Sequence, residues 1–348
     1  MSLTELDFET AELIQPNGHA MPEGLEGLTA IYFLDRPVSG TPQSMSFLSR
    51  KSPEGGSLGL PKKQRLRVFV ALPNDRPDPR GTLFLCPGRT EFIEKYLESV
   101  ADLTARGFCV VVIDPRGQGL SSRLLPDRLK SYVGTFQDYA DDFGWVIDQL
   151  SPHCPKPYIT IGHSMGGTIV LQSVLSGTTN PSAVICLAPM LGLMDLDTSL
   201  MQLSIKSLSA MGLSTKNLPM QRQRSGLPVA FADNKLTSDR TRYQRWAAFF
   251  QDTPRLRVGE PTFGWIAAAL SGMNFVNRNA ADLNVPALMV AAGGDQIVDP
   301  ASVEAFASRS QSSFHVVPGA KHELFLERDN LRDDFFGVFD QFLEAQAL

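Results

Sequence analysis

The sequence predicts an α/β fold in which a mostly parallel, doubly wound sheet carries an inserted, mainly helical cap. Short apolar runs, typical of buried strands, alternate with segments of helical periodicity in both the first and the last part of the chain. This alternation stops between about 190 and 283, where the sequence is rich in Met, Leu and Trp. The 348 residues, 43% of them hydrophobic, suffice for one large domain with such an insertion.

The elements of the first part follow one another in chain order. An early antiparallel strand is expected at 66–72. Further strands are expected at 82–86, 108–113, 157–161 and 183–187, and helices at 91–106, 136–150 and 167–175. The run FCVVVI at 108–113 is continuously apolar, as a parallel strand covered on both faces requires.

The pattern resumes after the interruption. Strands are expected at 287–292 and 313–317, and helices at 300–308 and 331–345. We therefore divide the chain into an N-terminal extension (1–60), a first part of the core (61–189), a helical cap (190–283) and a second part of the core (284–348). Within the extension, SGTP at 39–42 and SPEGG at 52–56 have loop compositions.

Composition and charge exclude several classes of function. The mild net charge of −5 argues against nucleic acid as a partner. The acidic N-terminus does not have the pattern of a secretory signal, and no apolar run is long enough to span a bilayer. The four cysteines lack the spacing of metal ligands, and Cys86, Cys109 and Cys186 fall in strand-like runs, so we expect buried free thiols. A location in the cytoplasm is expected, with the inner face of a membrane as the alternative.

The most informative motif is GHSMG at 162–166, which lies directly between a predicted strand and a predicted helix. A serine on such a sharp turn is held exposed above the edge of the sheet, and small neighbours are required because the strand and the helix approach closely. The bare pattern is common by chance, so the strand-turn-helix context carries the interpretation. It predicts a nucleophile elbow with Ser164 as the nucleophile.

A serine hydroxyl needs an adjacent base, and the base needs an orienting acid. In folds with this elbow the three residues come in the order Ser, acid, His. Of the five histidines, only His322 follows the last predicted strand in a loop, so it is the predicted base. Asp295 and Asp299 both follow the preceding strand. Asp299 precedes a proline and a helical run and is suited to cap that helix, which favours Asp295 as the acid.

An acyl-transfer reaction also needs backbone N–H donors for the oxyanion. Met165, which begins the elbow helix, is expected to supply one. The loop PGRTE at 87–91 is expected to supply the other through the amide of Arg89. The alternative is that this loop is only a turn.

With these residues assembled, the chain resembles the branch of α/β-hydrolases that includes monoacylglycerol lipases and bacterial lysophospholipases. The matching segments are CPGRTEFIEKY at 86–96, DPRGQGLS at 114–121, GHSMGG at 162–167 and GAKHE at 319–323. The resemblance implies the α/β-hydrolase fold, a triad of Ser164, Asp295 and His322, and an oxyanion hole at Arg89 and Met165.

The resemblance also implies that Glu91 supports the elbow histidine, His163. The alternative is a solvated charge that the helix dipole favours. The chain departs from the pattern at Pro87, where many members of the branch have histidine. The segment DPRGQG at 114–119 is interpreted as structural, a tight turn whose glycines allow loops to pack beside the site.

The cap sequence allows two interpretations. Leu200, Leu203, Leu208 and Met211 fall near one face of a predicted helix, and with Met201, Ile205 and Leu213 the stretch is apolar nearly all round. Such residues either pack the cap on the core or form an acyl-chain tunnel or a contact with a lipid surface. The same choice, pocket or core, applies to five aromatic residues of the cap: Trp246, Phe249, Phe250, Phe263 and Trp265.

These residues predict a serine hydrolase that needs no cofactor or metal and cleaves a carboxylic ester through an acyl-enzyme. The resemblance implies a lysophospholipid or a monoacylglycerol as substrate. Peripheral membrane contact through the cap is the expectation if its apolar residues meet a lipid surface. The alternatives are a general carboxylesterase, a thioesterase, a carbon–carbon bond hydrolase or a peptidase on the same triad, or a ligand-binding protein that has this fold but no activity. The sequence does not indicate the oligomeric state.

Overall fold

The structure is a computed structural model that describes residues 9–11, 13–14, 22, 25, 29–37, 63–73, 78–194, 199–218 and 226–348. The strands are β1 (Glu9–Thr10), β2 (Thr29–Pro37), β3 (Lys63–Ala71), β4 (Thr82–Cys86), β5 (Cys109–Asp114), β6 (Tyr158–His163), β7 (Ala183–Leu187), β8 (Ala287–Ala292) and β9 (Ser313–Val317). The α-helices are α1 (Leu97–Ala105), α2 (Phe136–Leu150), α3 (Met165–Leu175), α4 (Ser199–Leu208), α5 (Arg240–Asp252), α6 (Phe263–Arg278), α7 (Pro300–Ser310) and α8 (Asp329–Ala345).

The strands form one sheet in the order β1-β2-β3-β5-β4-β6-β7-β8-β9. The first three strands pair antiparallel, and β3 is also antiparallel to β5. All neighbours from β5 to β9 are parallel. Helices cover both faces of the sheet. Because successive side chains of a strand point to opposite faces, alternate residues pack against different sets of helices. Val111 packs with α2, α3 and α6, whereas Val110 and Val112 pack with α1 and α8. The predicted fold class is therefore confirmed.

Most predicted elements are present with bounds that differ by a few residues, and one helix begins later than expected. The helix predicted at 91–106 is a short 3₁₀ turn (Ile93–Tyr96) followed by α1. The amide of Ile93 donates a hydrogen bond to Asp114 Oδ1 at 2.9 Å, and Phe92 is extended. This tertiary hydrogen bond overrides the local helical preference before residue 93.

The segment before residue 61 contributes two strands to the sheet, although none was predicted there. Strand β2 pairs with β3 along all nine of its residues and buries Tyr32 and Leu34. The loop compositions noted at 39–42 and 52–56 lie outside the described residues.

Between β7 and β8, the described chain consists of helices and turns, with α4, α5 and α6 as its long elements. A π-helical turn (Ser209–Leu213) extends α4. Ile205 and Leu208 face the core, whereas Met201, Leu203 and Met211 are exposed. The side chain of Leu200 lies outside the described part.

The sequence also predicted the state of the cysteines correctly. All four are buried and free of disulfides. Among the described helices, none has both the length and the apolar character needed to cross a bilayer.

Candidate active site

Ser164 occupies the turn between β6 and α3 with a backbone conformation that is rare for a residue with a side chain, φ 52° and ψ −117°. The close approach predicted from the sequence is present. A Cβ atom on Gly162 would lie 2.5 Å from the carbonyl oxygen of Gly166, and one on Gly166 would lie 1.9 Å from that of Cys86. Strain of this kind persists only where the surroundings enforce it, and it is concentrated at functional sites.

Replacing Gly166 with Ala tests this packing. The added methyl group would collide with backbone atoms of β4, so we expect a loss of about 3 kcal/mol in the free energy of unfolding, measured in urea. Gly337→Ala is the matched control, because a Cβ atom at this position in α8 meets nothing within 4 Å. There we expect a gain of about 0.5–1 kcal/mol. Equal effects at the two positions would contradict the close approach.

The structure brings His322 and Asp295 into direct contact. His322 Nδ1 lies 2.7 Å from Asp295 Oδ2, and both side chains are buried. The other carboxylate oxygen of Asp295 accepts hydrogen bonds from the amides of Ile297 at 2.8 Å and Val298 at 3.1 Å. The carboxylate is therefore held rigidly and can orient the imidazole, leaving Nε2 for a reacting group.

Asp299, the competing acid, caps α7 as predicted. Its side chain accepts a hydrogen bond from the amide of Ala301 at 3.0 Å, and Pro300 begins the helix. The geometry thus separates the two aspartates into an acid next to the histidine and a helix cap.

The loop that carries His322 lies against the elbow. His163, which precedes Ser164, has its Nε2 atom 3.1 Å from the carbonyl oxygen of His322, and the centroids of the two rings are 4.9 Å apart. Within the described residues, no hydrogen bond joins the Ser164 hydroxyl to His322 Nε2. Such contacts often tighten only when substrate binds.

Two amides near Ser164 are available as donors. In the loop after β4, Gly88 N–H binds Glu91 Oε2 at 2.5 Å and Thr90 N–H binds Gln118 Oε1 at 2.8 Å. Between them, the amide of Arg89 has no hydrogen-bond partner in the described part of the chain, nor has the amide of Met165. These are the two amides that the sequence predicted for the oxyanion.

A cluster of buried charges, which we call the Glu91–Lys95 cluster, lies behind the elbow and consists of Glu91, Lys95, Tyr96, His163 and Glu323. Glu91 binds Lys95 Nζ at 2.8 Å and His163 Nδ1 at 3.1 Å, and Tyr96 donates its hydroxyl to it. Lys95 also pairs with Glu323, the residue after His322. Glu91 is 3% exposed, so the alternative of a solvated charge is wrong.

The pKa values in the cluster follow from these contacts. Burial alone would raise the pKa of Glu91, but Lys95 and His163 outweigh burial and hold the pKa well below its usual range. Burial would lower the pKa of Lys95, but its two glutamates raise it above the ordinary value. The ligand atoms of Glu91, His163 and Glu323 lie within 4.8 Å of one another and resemble a metal site. Because the ammonium group of Lys95 binds both carboxylates, it supplies the positive charge that a metal ion would otherwise provide.

Lys95, Tyr96 and Glu323 were not predicted as members of this cluster. The only sequence signal was the position of Lys95 and Glu323 within motifs that also contain apolar side chains.

The segment at 114–119 has the structural role expected for it. Asp114 accepts hydrogen bonds from the amides of Ile93 and Leu120, and a Cβ on Gly119 would lie 2.1 Å from its carboxylate.

The cap aromatics divide between a cavity and the core. Trp246 and Phe250 line a cavity of about 340 Å³ that also borders Arg89. Phe249 packs edge-on against Phe92. Phe263 and Trp265 belong to the main core. Trp246 and Phe250 are therefore cavity-lining residues, and the other three pack in the core.

Comparison with known proteins identifies the family of the chain. The family model described as serine aminopeptidase, S33, matches residues 77–329, which is well over half of the chain. The chain belongs to this family. It is therefore a hydrolase of the α/β-hydrolase fold, and the resemblance noted in the sequence is confirmed.

Two relatives show what this S33 family member is similar to in sequence. Lysophospholipase L2 of Escherichia coli (strain K12) is 34% identical over 266 residues, which cover 71% of this chain and 76% of the relative. Monoacylglycerol lipase of Mycolicibacterium smegmatis is 26% identical over 255 residues, covering 72% and 84%.

Solved structures of low identity share the fold. A soluble variant of the monoglyceride lipase of Saccharomyces cerevisiae superposes with a TM-score of 0.65 at 20% identity, covering 81% of this chain and 92% of that one. A thermostable carboxyl esterase from Bacillus coagulans gives 0.65 at 17% identity, covering 82% and 96%.

Proposed function

We propose that the protein hydrolyses the carboxylic ester of a lipid, a lysophospholipid or a monoacylglycerol, through an acyl-enzyme on Ser164. The observation that carries this proposal is the 2.7 Å hydrogen bond between His322 and Asp295, on a loop that contacts His163, the residue before Ser164 in its strained turn. The names of the relatives from Escherichia coli and Mycolicibacterium smegmatis support the lipid ester as substrate.

In the proposed reaction, His322 Nε2 removes the proton of the Ser164 hydroxyl as Oγ attacks the ester carbonyl carbon. Asp295 stabilises the imidazolium that forms, and general-base help of this kind contributes about 10²- to 10⁴-fold in rate. The amides of Arg89 and Met165 stabilise the oxyanion, each contributing about 10²- to 10³-fold. The imidazolium then protonates the leaving alcohol, and a water molecule, activated by the same histidine, releases the fatty acid.

The position of the exposed apolar residues supports peripheral contact of the cap with a lipid surface. Leu203 is 63% exposed and Met211 is 78% exposed, and both lie on the outer side of α4 and the following turn. Large exposed apolar side chains on a helix and the turn that follows it are consistent with contact with a lipid surface.

A panel of p-nitrophenyl esters graded from two to sixteen carbons tests the proposed substrate class. We expect kcat/KM to rise with chain length by about tenfold or more, since each buried methylene contributes about 0.8 kcal/mol until the acyl pocket is filled. An amino-acid p-nitroanilide in the same panel tests the peptidase alternative, which the description of the family favours. A steep preference for short esters, or faster cleavage of the anilide, would contradict the lipid proposal.

A further inference from the structure

Three arginines meet where the loop after β5 contacts the cap. Two guanidinium groups converge on one main-chain atom, the carbonyl oxygen of Arg255, with Arg123 Nη2 at 3.3 Å and Arg128 Nη2 at 3.2 Å. Arg123 Nη2 also donates to the carbonyl oxygen of Gly119 at 2.9 Å. Within the described part of the chain, no ion pair joins Arg123, Arg128 or Arg255 to an acid. We call these three residues the arginine cluster.

The sequence around the cluster carries an excess of positive charge. The two segments that form it, 123–130 and 254–260, contain five basic residues and two acids, in a chain whose net charge is −5. Of the acids, Asp127 accepts a hydrogen bond from a backbone amide of its own loop at 3.1 Å, and Glu260 attracts the guanidinium of Arg89. The cluster is therefore a basic patch on an acidic protein.

Repulsion inside the cluster favours an anion as its ligand. Arg123 is half-buried, and burial together with the positive charge of Arg128 lowers its pKa to about 10, against the attraction of Asp114. An anion beside the guanidinium groups would offset this repulsion. Phosphate suits them best, because guanidinium groups bind it with charge-assisted, bidentate hydrogen bonds. Arg128 and Arg255 are exposed and can contact the anion, whereas Arg123, which is less exposed, adds positive potential.

The cluster lies at the edge of the sheet that carries the elbow. Strand β4 is parallel to both β5 and β6, so the loop after β5 and the turn after β6 leave the sheet at the same edge. The cap segment 254–263 is fixed to this loop, because Gly259 N–H donates to the carbonyl oxygen of Leu129 at 2.8 Å. An anion bound by the cluster is thus on the side of the molecule that carries the candidate active site.

Exposed apolar side chains adjoin the same cap segment. Phe263 N–H donates to the carbonyl oxygen of Lys216 at 2.9 Å, which places the turn after α4 beside it. Met211 and Leu213, which are 78% and 37% exposed, lie in the π-helical turn just before. Basic groups next to apolar groups are suited to an anionic bilayer, because phosphates attract the bases while the apolar side chains enter the acyl region. A soluble phosphate compound would use the arginines alone.

We infer that the arginine cluster docks the protein on the phosphate groups of an anionic phospholipid bilayer, with Arg128 and Arg255 as the contact residues. The choice of a bilayer rests on the proposed function, because a lipid ester as substrate brings the enzyme to a lipid surface. The inference adds a preference for acidic over zwitterionic lipids, which exposed apolar side chains do not provide. Docking should weaken as the salt concentration rises, since exposed charges are screened.

Sedimentation with vesicles of phosphatidylcholine, with and without phosphatidylglycerol, measures this preference. We expect Arg128→Gln/Arg255→Gln to weaken binding to the acidic vesicles by about 25-fold, because each basic residue near an anionic surface contributes about fivefold. Binding to pure phosphatidylcholine should not change. Arg128→Lys/Arg255→Lys keeps both charges and should retain most of the affinity for the acidic vesicles.

Lys156→Gln/Arg309→Gln is the matched control, since it removes the same charge elsewhere. Both residues are exposed, and Lys156 precedes β6 while Arg309 precedes β9. Strands β6 to β9 are parallel, so these two residues lie at the opposite edge of the sheet from the elbow. Their loss should change the affinity for acidic vesicles by less than about twofold, because screening confines the effect of a charge to its surroundings.

The outcomes separate the docking site from the proposed function. Equal affinity of the two glutamine double variants for acidic vesicles, or equal binding of wild type to both kinds of vesicle, would overturn the inference. So would binding of inorganic phosphate that Arg128→Gln/Arg255→Gln abolishes while its vesicle binding is unchanged, which would assign the cluster to a free phosphate. Hydrolysis of soluble p-nitrophenyl butyrate should be equal in wild type and all these variants. If wild type docks on acidic vesicles but cleaves no ester, the proposed function fails and the docking site stands.

Discussion

Replacing Ser164 with Ala is expected to lower kcat for an ester substrate by about 10⁴-fold or more, which is the typical cost of losing the nucleophile of a triad. The variant removes one oxygen atom and leaves His322 hydrogen-bonded to Asp295. The folded state should persist, because no hydrogen bond to another described residue depends on that hydroxyl. Steady-state hydrolysis of a p-nitrophenyl ester, together with thermal unfolding, measures both effects.

Ser173→Ala provides the matched control for this prediction. Ser173 lies on the same helix, α3, and its buried hydroxyl donates to the carbonyl oxygen of Val170 at 2.7 Å. This change should cost about 1 kcal/mol in stability and alter kcat little. A Ser164→Ala enzyme that retains more than a tenth of the wild-type rate would exclude Ser164 as the nucleophile.

Lys95→Met is expected to destabilise the protein by about 3–5 kcal/mol, because it leaves two buried carboxylates, Glu91 and Glu323, without their shared cation. Glu323 directly follows His322, so the loop that positions the base should also be disturbed. We expect a lower midpoint of urea unfolding with an unchanged slope, and a lower kcat in the fraction that remains folded.

Lys156→Met serves as the comparison for the loss of a lysine charge, since Lys156 is exposed. It should change stability by less than about 0.5 kcal/mol. Adding Glu323→Gln to Lys95→Met should recover part of the loss, because the unpaired charge is removed, and a double-mutant cycle measures the coupling. If Lys95→Met and Lys156→Met have the same effect, the Glu91–Lys95 cluster does not stabilise the fold.

Local sequence was sufficient to predict the elbow and the choice between the two aspartates. The elbow could be predicted because a strand, a tight turn and a helix are contiguous in the chain. Asp299 could be assigned to a cap because its proline and helix follow directly. His322 and Asp295 are 27 residues apart in sequence. Their contact was predicted from the order of the residues in the chain rather than from a local pattern.

Interactions that join distant segments could not be predicted in this way. Lys95 and Glu323 are far apart in sequence, and nothing in either segment indicates that one ammonium group neutralises two carboxylates. The amide of Ile93 is drawn to Asp114, which delays the helix predicted from 91. Strand β2 pairs with the edge of β3 that β5 leaves open. That edge exists only in the folded sheet, so the sequence at 29–37 does not reveal it.

Covalent labelling tests the central claim most directly, namely that Ser164 is made nucleophilic by His322 and Asp295. Wild-type protein should react with a fluorophosphonate to one adduct per chain, and the modified peptide should carry the label on Ser164. His322→Ala should react far more slowly, and Ser164→Ala not at all. An adduct on another residue, or equal labelling of wild type and Ser164→Ala, would contradict the account.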